Sequence, residues 1–345
     1  MREGVIITGV AGFVGSYFAK RLLRDTDYFI YGIDNLSCGF LENIEDILVH
    51  PNFIMCQRDI RNLTNTQIVK NDIGEAAEDV DWKYIFHFAA RGEVYWCKDN
   101  PVEAIDINVG GTVTMLELAK EFEVDHFFFS DTSAEYDSLT DDKFFPTEED
   151  MAPNIYSPMG FYPITKMAAA QFVRSYGKKN NFGTTLFRYT NVYGPSMNIE
   201  RDIPPVIGAF TNNMLFKNTK AVIYGDGSKR RDFLHIDDLT NFHMKALECR
   251  GCMTDTQTFN AGCGKNWSIK EIHELVYDAC NTVDNTVLEE IEYRPDQLDE
   301  AQVTLANIDK ALKYFGWVPM ISIKFGIEDT VGQLLSKHLS KNDNN

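Results

Sequence analysis

Tyr162-Pro163-Ile164-Thr165-Lys166 sets a phenol and an ammonium four residues apart, at the head of a strongly helical stretch that continues through Met167-Ala168-Ala169-Ala170-Gln171-Phe172-Val173. At that spacing both side chains leave one face of a helix. A phenol with a pKa of about 10 is a poor base near neutrality, but an ammonium within several ångströms favours its ionised form. Tyr162 then becomes a usable acid/base for a hydroxyl group. Lys166 can also donate to the ribose hydroxyls of a nicotinamide cofactor, which couples cofactor position to proton transfer.

A second constellation lies at the start of the chain. The apolar run Val5-Ile6-Ile7-Thr8 leads into Gly9-Val10-Ala11-Gly12-Phe13-Val14-Gly15, a helix with Phe18, Leu22 and Leu23 on one face follows, and a second apolar run closes on Asp34. Gly9 permits the turn off the strand, Gly12 lets backbone N–H groups, those of Phe13 and Val14 among them, approach a pyrophosphate, and Gly15 lets the helix pack on the strand. The helix N-terminus offers unpaired N–H groups and partial positive charge to the phosphates. Asp34, about 20 residues beyond the glycines, can accept both hydroxyls of an adenosine ribose and repels a 2'-phosphate. The loop from Asn35 to Gly39 contains no arginine or lysine. NAD is therefore expected rather than NADP, and no metal: the lone Cys249-x-x-Cys252 pair has no second pair and no His in metal spacing.

These groups need a scaffold. A third apolar run, Phe53 to Cys56, ends near Asp59-Ile60, and Tyr84-Ile85-Phe86-His87-Phe88-Ala89-Ala90 is almost continuously apolar, as in a parallel strand covered on both faces. His126-Phe127-Phe128-Phe129-Ser130 reads as the next strand, and in a doubly wound sheet ligands gather at the carboxyl ends of strands. Residues 236 to 247 and 268 to 281 have amphipathic helical patterns. The expected fold is α/β: a doubly wound parallel Rossmann sheet with a smaller C-terminal α/β substrate domain. Residues 1–190 are expected to form the NAD-binding domain with returning segments at about 225–262, residues 191–335 mainly the substrate domain, and residues 336–345 a frayed tail.

With 345 residues and 44 % hydrophobic content, the chain can bury a sizeable core. No run approaches the roughly 18 apolar residues of a membrane span, and the first strand begins by residue 5. A cytoplasmic protein without membrane association is expected. The net charge of −18 argues against nucleic acid as a partner, since a phosphate backbone is bound by basic surfaces.

The ordered motifs resemble the extended branch of the short-chain dehydrogenase/reductases, the NAD-dependent nucleotide-sugar epimerase/dehydratase family, over nearly the whole chain. His87-Phe88-Ala89-Ala90 resembles its H-x-A-A, Asn108-Val109-Gly110-Gly111-Thr112 its N-V-x-G-T, and Phe187-Arg188-Tyr189-Thr190-Asn191-Val192-Tyr193-Gly194-Pro195 its L-R-Y-x-N-V-Y-G-P. Gly225 to Phe233 resembles G-D-G-x-x-x-R-D-F, and Arg294-Pro295 its R-P segment. The resemblance implies that Thr132 joins Tyr162 and Lys166 as a catalytic hydroxyl, the alternative being a cap on the strand-end turn. It implies that Asn35, Asp59, Ile60, Phe88, Ala89 and Ala90 meet the cofactor; His87, within an apolar strand, reads as a core histidine rather than an acid or base. Asn191 would face a nucleotide sugar whose diphosphate is clamped by Arg231 and Arg294, since guanidinium groups offer forked donors. It also implies a homodimer through a four-helix bundle of helices at about 101 to 122 and 161 to 179, using faces that include Val113, Leu116, Met167 and Phe172.

The family's shared step removes the proton of a sugar 4-hydroxyl and a hydride from carbon 4, giving a 4-keto sugar. The dehydratases that this chain resembles carry an Asp-Glu pair directly after the catalytic Thr; here Ser133 and Ala134 stand there, and Glu135 is one position late. Return of hydride to the other face, 4-epimerisation, is therefore the expected outcome, with UDP suggested by the family's commonest substrates. The alternative is an atypical dehydratase or decarboxylase in which Asp131, Glu135, Glu93 or Cys97 supplies an unfamiliar acid/base. Asp131 replaces a usual Ser, Asp137 a Gly and Arg91 a common Gln. A non-catalytic NAD-sensing protein is a third possibility, at odds with the retained Tyr-Lys pair.

Overall fold

A computed structural model describes residues 1–74, 79–137, 139, 141–151, 160–201, 203–252, 255–296 and 300–343. Among them β1 (Arg2–Thr8), β2 (Phe29–Asp34), β3 (Phe53–Gln57), β4 (Val80–His87), β5 (His126–Thr132) and β6 (Gly183–Tyr189) form a parallel sheet with a returning strand, Gln257–Ala261. The strand order is Gln257–Ala261, β6, β5, β4, β1, β2, β3. Winding therefore reverses at β1, which pairs β2 on one side and β4 on the other. A crevice opens at the carboxyl ends of such a reversal.

The apolar runs become central strands because both faces are covered. Val5, Ile6 and Ile7 are completely buried, and their alternate side chains enter two different cores. One face joins Val5, Ile7 and Phe86 to Phe18 and Leu22 of α1 (Phe13–Asp25) and to Leu239 and Phe242 of the helix Ile236–Glu248. The other joins Ile6, Ile85, Phe127 and Phe129 to Met115 and Leu116 of the helix Thr112–Glu121 and to Ala169, Ala170 and Val173 of the helix Phe161–Asn180. Each large apolar side chain so buried contributes roughly 1.5–3 kcal/mol. Two amphipathic patterns materialise almost as read, as the helices Ile236–Glu248 and Ile269–Val283. The second starts with a reciprocal capping box between Ser268 and Glu271.

Beyond the sheet a third cluster packs Ile207, Phe210, Ile223, Ile272 and Val276 against the parallel strands Ala221–Tyr224 and Ile291–Arg294. Two expectations need correction. Leu116 is fully buried in the intramolecular core, so it has no free face for a partner, whereas Phe172 is 43 % exposed. The polar stretch after Leu335 is helical through Asp343, within the helix Ile323–Asp343, because His338 stacks on Phe216 at 4.4 Å and Lys337 reaches Glu42 at 3.7 Å. Residues 344–345 lie outside the described residues. No helix among the described residues is long and apolar enough to cross a membrane.

Candidate active site

Gly9, Gly12, Phe13, Val14, Gly15, Asp34, Asn35, Asp59, Ile60, Phe88, Ala89 and Ala90 all line one cavity of about 330 Å³ at the sheet's switch point. Its floor is built for close approach. Gly9 sits at φ +69°, and a Cβ on Gly15 would lie 2.2 Å from the Gly9 carbonyl oxygen. Gly12 caps α1, whose N-terminus faces the cavity. Asp34 accepts the Ala11 and Leu36 N–H groups at 3.0 and 2.8 Å, which fixes its carboxylate. A side chain at Gly39 would come within 2.8 Å of Asp34 Oδ2. Arg58 also lines this end, but its guanidinium is held by Asp72 at 2.5 Å. The cradle and the anchored acid fit an adenine dinucleotide without a 2'-phosphate. Ser37, Cys38, Phe40, Asn43, Ser196 and Arg201 complete the lining and were missed from sequence. They sit in loops, or for Asn43 in the 3-10 turn Leu41–Asn43, whose residue types carry no motif.

Tyr162 adjoins this cavity at Gly92, where an added Cβ would lie 4.0 Å from its hydroxyl. Thr132 ends β5 and hydrogen-bonds Tyr162. Its Oγ1 also accepts the Ala134 N–H at 3.1 Å. Thr132 thus caps the turn and also meets the phenol, because a hydroxyl can accept from a turn and donate to a phenol. Lys166 is buried, with Nζ 4.2 Å from the Phe129 ring centroid. Burial pulls its pKa down to about 8, and the charges of Asp131 and Glu135 work against that fall. Tyr162 departs from expectation. Burial drives its hydroxyl well above the ordinary value, the Thr132 hydrogen bond opposes this, and Lys166 does not offset it.

The helix carrying Tyr162 is tied to the cavity wall by Asn108, buried in the π-helical turn Asp106–Gly111. Asn108 donates to Thr165 Oγ1 at 2.9 Å and to the Arg91 carbonyl at 3.1 Å, and accepts the Arg91 N–H at 2.8 Å. His87 is a core histidine: its ring nitrogens lie 2.8 Å from Thr8 Oγ1 and 3.0 Å from Thr112 Oγ1, and burial lowers its pKa to about 3.

The four candidate extra acid/base groups divide into two places. Glu93 and Arg91 line the cofactor cavity, 3.2 Å apart, with Arg91 also on Cys38 and over Trp96 at 4.1 Å. Cys97 is buried behind them, donating to the Arg91 carbonyl at 3.4 Å, and burial lifts its thiol to about 11. Asp131 and Glu135 lie in the interior on Arg188, at 3.4 and 2.8 Å.

Asn191, Arg231 and Arg294 line a second cavity of about 820 Å³, together with Lys229, Tyr224 and Phe233. Arg201 lines both cavities and joins them. Arg231 is 3.7 Å from Glu300, and burial lowers its pKa; Arg294 is 2.7 Å from Glu292. Lys229 contacts Asp296 and Glu300, the latter at 2.9 Å. Lys229, Arg231 and Arg294 are thus each paired with a partly exposed acid.

Residues 5–262 match the model of the NAD dependent epimerase/dehydratase family. The chain is 29 % identical to the UDP-glucose 4-epimerase of Mycolicibacterium smegmatis, over 94 % of this chain and 96 % of that one. It is 31 % identical to UDP-glucuronic acid decarboxylase 2 of Arabidopsis thaliana, over 94 % of this chain and 66 % of the plant protein. Among solved structures, UDP-glucose 4-epimerase of Thermotoga maritima with UDP-glucose superposes with a TM-score of 0.84 at 26 % identity, covering 97 % of this chain and 99 % of that one.

Proposed function

The chain belongs to the NAD dependent epimerase/dehydratase family, and from that membership we propose that it inverts carbon 4 of a nucleotide-diphosphate sugar, a UDP-hexose, through a transient 4-keto sugar. NAD is the cofactor, held by the glycine cradle and Asp34, and when bound it supplies the hydride acceptor and then donor. Tyr162 takes the proton of the sugar 4-hydroxyl and returns it after the ketone has turned. Thr132 donates to the Tyr162 oxygen and so favours its ionised state. Lys166, one turn along the same helix, completes the pair by donating to the ribose hydroxyls of the cofactor. Asn191, Arg231 and Arg294 hold the nucleotide diphosphate in the second cavity.

One observation favours epimerisation over elimination. The positions after Thr132 are Ser133 and Ala134, and the first acid beyond them, Glu135, is buried with its Oε2 2.8 Å from the Arg188 guanidinium. An acid so engaged is a poor candidate for proton transfer at carbons 5 and 6. The alternative, a dehydratase or decarboxylase, draws on the plant decarboxylase relative and on Glu93, which does line the cavity. Incubation with UDP-, GDP- and dTDP-hexoses, followed by mass spectrometry, separates the two. An isomer of unchanged mass is expected; loss of water or of carbon dioxide would defeat the assignment and direct attention to Glu93.

A further inference from the structure

Two buried acids flank the catalytic hydroxyl. Asp131 is the chain neighbour of Thr132 and faces Arg188 across the β5–β6 pairing, while Glu135 lies on the short turn that Thr132 caps. Arg188 serves both: its Nε is 3.4 Å from Asp131 Oδ2 and its Nη2 2.8 Å from Glu135 Oε2. Its Nη1 donates to the Tyr136 hydroxyl at 2.6 Å and to the Glu149 carbonyl at 3.0 Å. Asp131 and Glu135 are 2 % and 3 % exposed, and each keeps one buried oxygen, Asp131 Oδ1 and Glu135 Oε1, without a partner among the described residues.

Two ionised carboxylates within hydrogen-bonding reach of each other would set like charges and two orphan acceptors together in the interior, an arrangement that low dielectric penalises heavily. A single proton between the two orphan oxygens removes both faults. It supplies the missing donor and cancels the second charge. We propose that Asp131 and Glu135 share one proton and act as a positioning pair, holding one negative charge behind Tyr162 and Lys166 that sets the protonation of both. The proposal rests on the reading of Tyr162 and Lys166 as the proton-transfer pair.

The surroundings agree. Burial, and then the Asp131 charge, hold the Glu135 carboxyl well above the carboxylate range, within hydrogen-bonding reach of Asp131. Facing the pair are Arg188 and Tyr189 from β6, Tyr136 from the turn, Glu149 through its carbonyl, and Tyr162, Lys166 and Arg174 from the helix Phe161–Asn180. Asp131 and Glu135 are the charges that oppose the loss of the Lys166 proton, and both also disfavour ionisation of Tyr162. Removing either acid alone leaves the other free to ionise onto Arg188, so the local charge is conserved. Removing both deletes it.

The test compares D131N, E135Q and D131N/E135Q in the NAD-bound protein. In the infrared spectrum at neutral pH, the parent-minus-variant difference should show the loss of one protonated-carboxyl band in each single variant, the band of Asp137, whose carboxyl burial raises to about 7, cancelling in the difference. In turnover, each single variant should keep the parent's pH profile, and the double variant should move both limbs to lower pH by roughly one unit. Unmoved limbs in the double variant, or a single variant that moves them as far as the double, overturn the proposal. Should no nucleotide sugar turn over, the reaction assignment fails separately, and the infrared difference still decides: a single variant whose difference spectrum lacks that lost band rules out the shared proton. A double variant that does not fold leaves that same infrared criterion in force.

Discussion

Tyr162, the phenol proposed to release its proton, is half-buried, and Lys166, one turn along the same helix, has its own proton loosened to a pKa of about 8. Burial raises the first group and lowers the second, because it penalises whichever form is charged. Replacing Tyr162 by Phe deletes only the transferring oxygen. Turnover should fall by roughly 10²–10⁴-fold while NAD and nucleotide-sugar binding persist, as calorimetric titration can establish. Near-normal turnover would assign the proton to another group. Gly15→Ala puts a methyl 2.2 Å from the Gly9 carbonyl oxygen. It should destabilise the fold by about 1–3 kcal/mol in urea and weaken NAD binding; an unchanged NAD affinity would mean that the cradle does not carry the pyrophosphate. These glycines, Asp34 and the Tyr-x-x-x-Lys pair were legible in sequence because each imposes a fixed spacing on neighbouring residues. Arg201 and Cys38 were not, since they meet the cofactor cavity from loops 163 positions apart in numbering. The sign of the Tyr162 shift was illegible for another reason: spacing reports a nearby ammonium but not how much water burial removes.

Individual side chains are useful only where elements hold them, and the π-helical turn Asp106–Gly111 illustrates this. It carries Asn108 onto both the Arg91 loop and Thr165, one turn beyond Tyr162. Asn108→Ala leaves the Arg91 backbone groups and Thr165 without these partners. A loss of about 1–3 kcal/mol in denaturant stability is expected, together with a lower kcat at little-changed nucleotide affinity. Equal stability with unaltered kcat would show that the helix Phe161–Asn180 is fixed by its apolar contacts alone. Strand and helix positions were largely readable, because parallel strands appear as unbroken apolar runs and the helices Ile236–Glu248 and Ile269–Val283 as a 3.6-residue period. The π-helical turn was not, since Gly110 and Gly111 give no sign of which hydrogen-bond register they adopt. The last helix was misjudged at its end: Lys337 and His338 look solvated in sequence, but they find Glu42 and Phe216, nearly 300 and over 100 residues away.

The molecule as a whole carries a net charge of −18, and in its second cavity Lys229, Arg231 and Arg294 are each within reach of a carboxylate. Arg231→Ala should therefore raise KM for the nucleotide sugar more than it lowers kcat, because the guanidinium is assigned to binding rather than proton transfer. A large fall in kcat with unchanged KM would contradict that role. The exposed apolar residues Val102, Ile105, Phe161, Ile164 and Phe172 belong to the helices expected to pair between two copies. Light scattering should give the mass of two 39.3 kDa chains at micromolar concentration, and a single-chain mass would remove the dimer. The central claim, that hydride removed from carbon 4 returns to carbon 4, is tested most directly with a UDP-hexose carrying deuterium at that carbon. After incubation with the NAD-bound protein, the account predicts an isomeric product, inverted at carbon 4, with the deuterium still on carbon 4. Deuterium recovered at carbon 6, in a product lighter by one water, would contradict it.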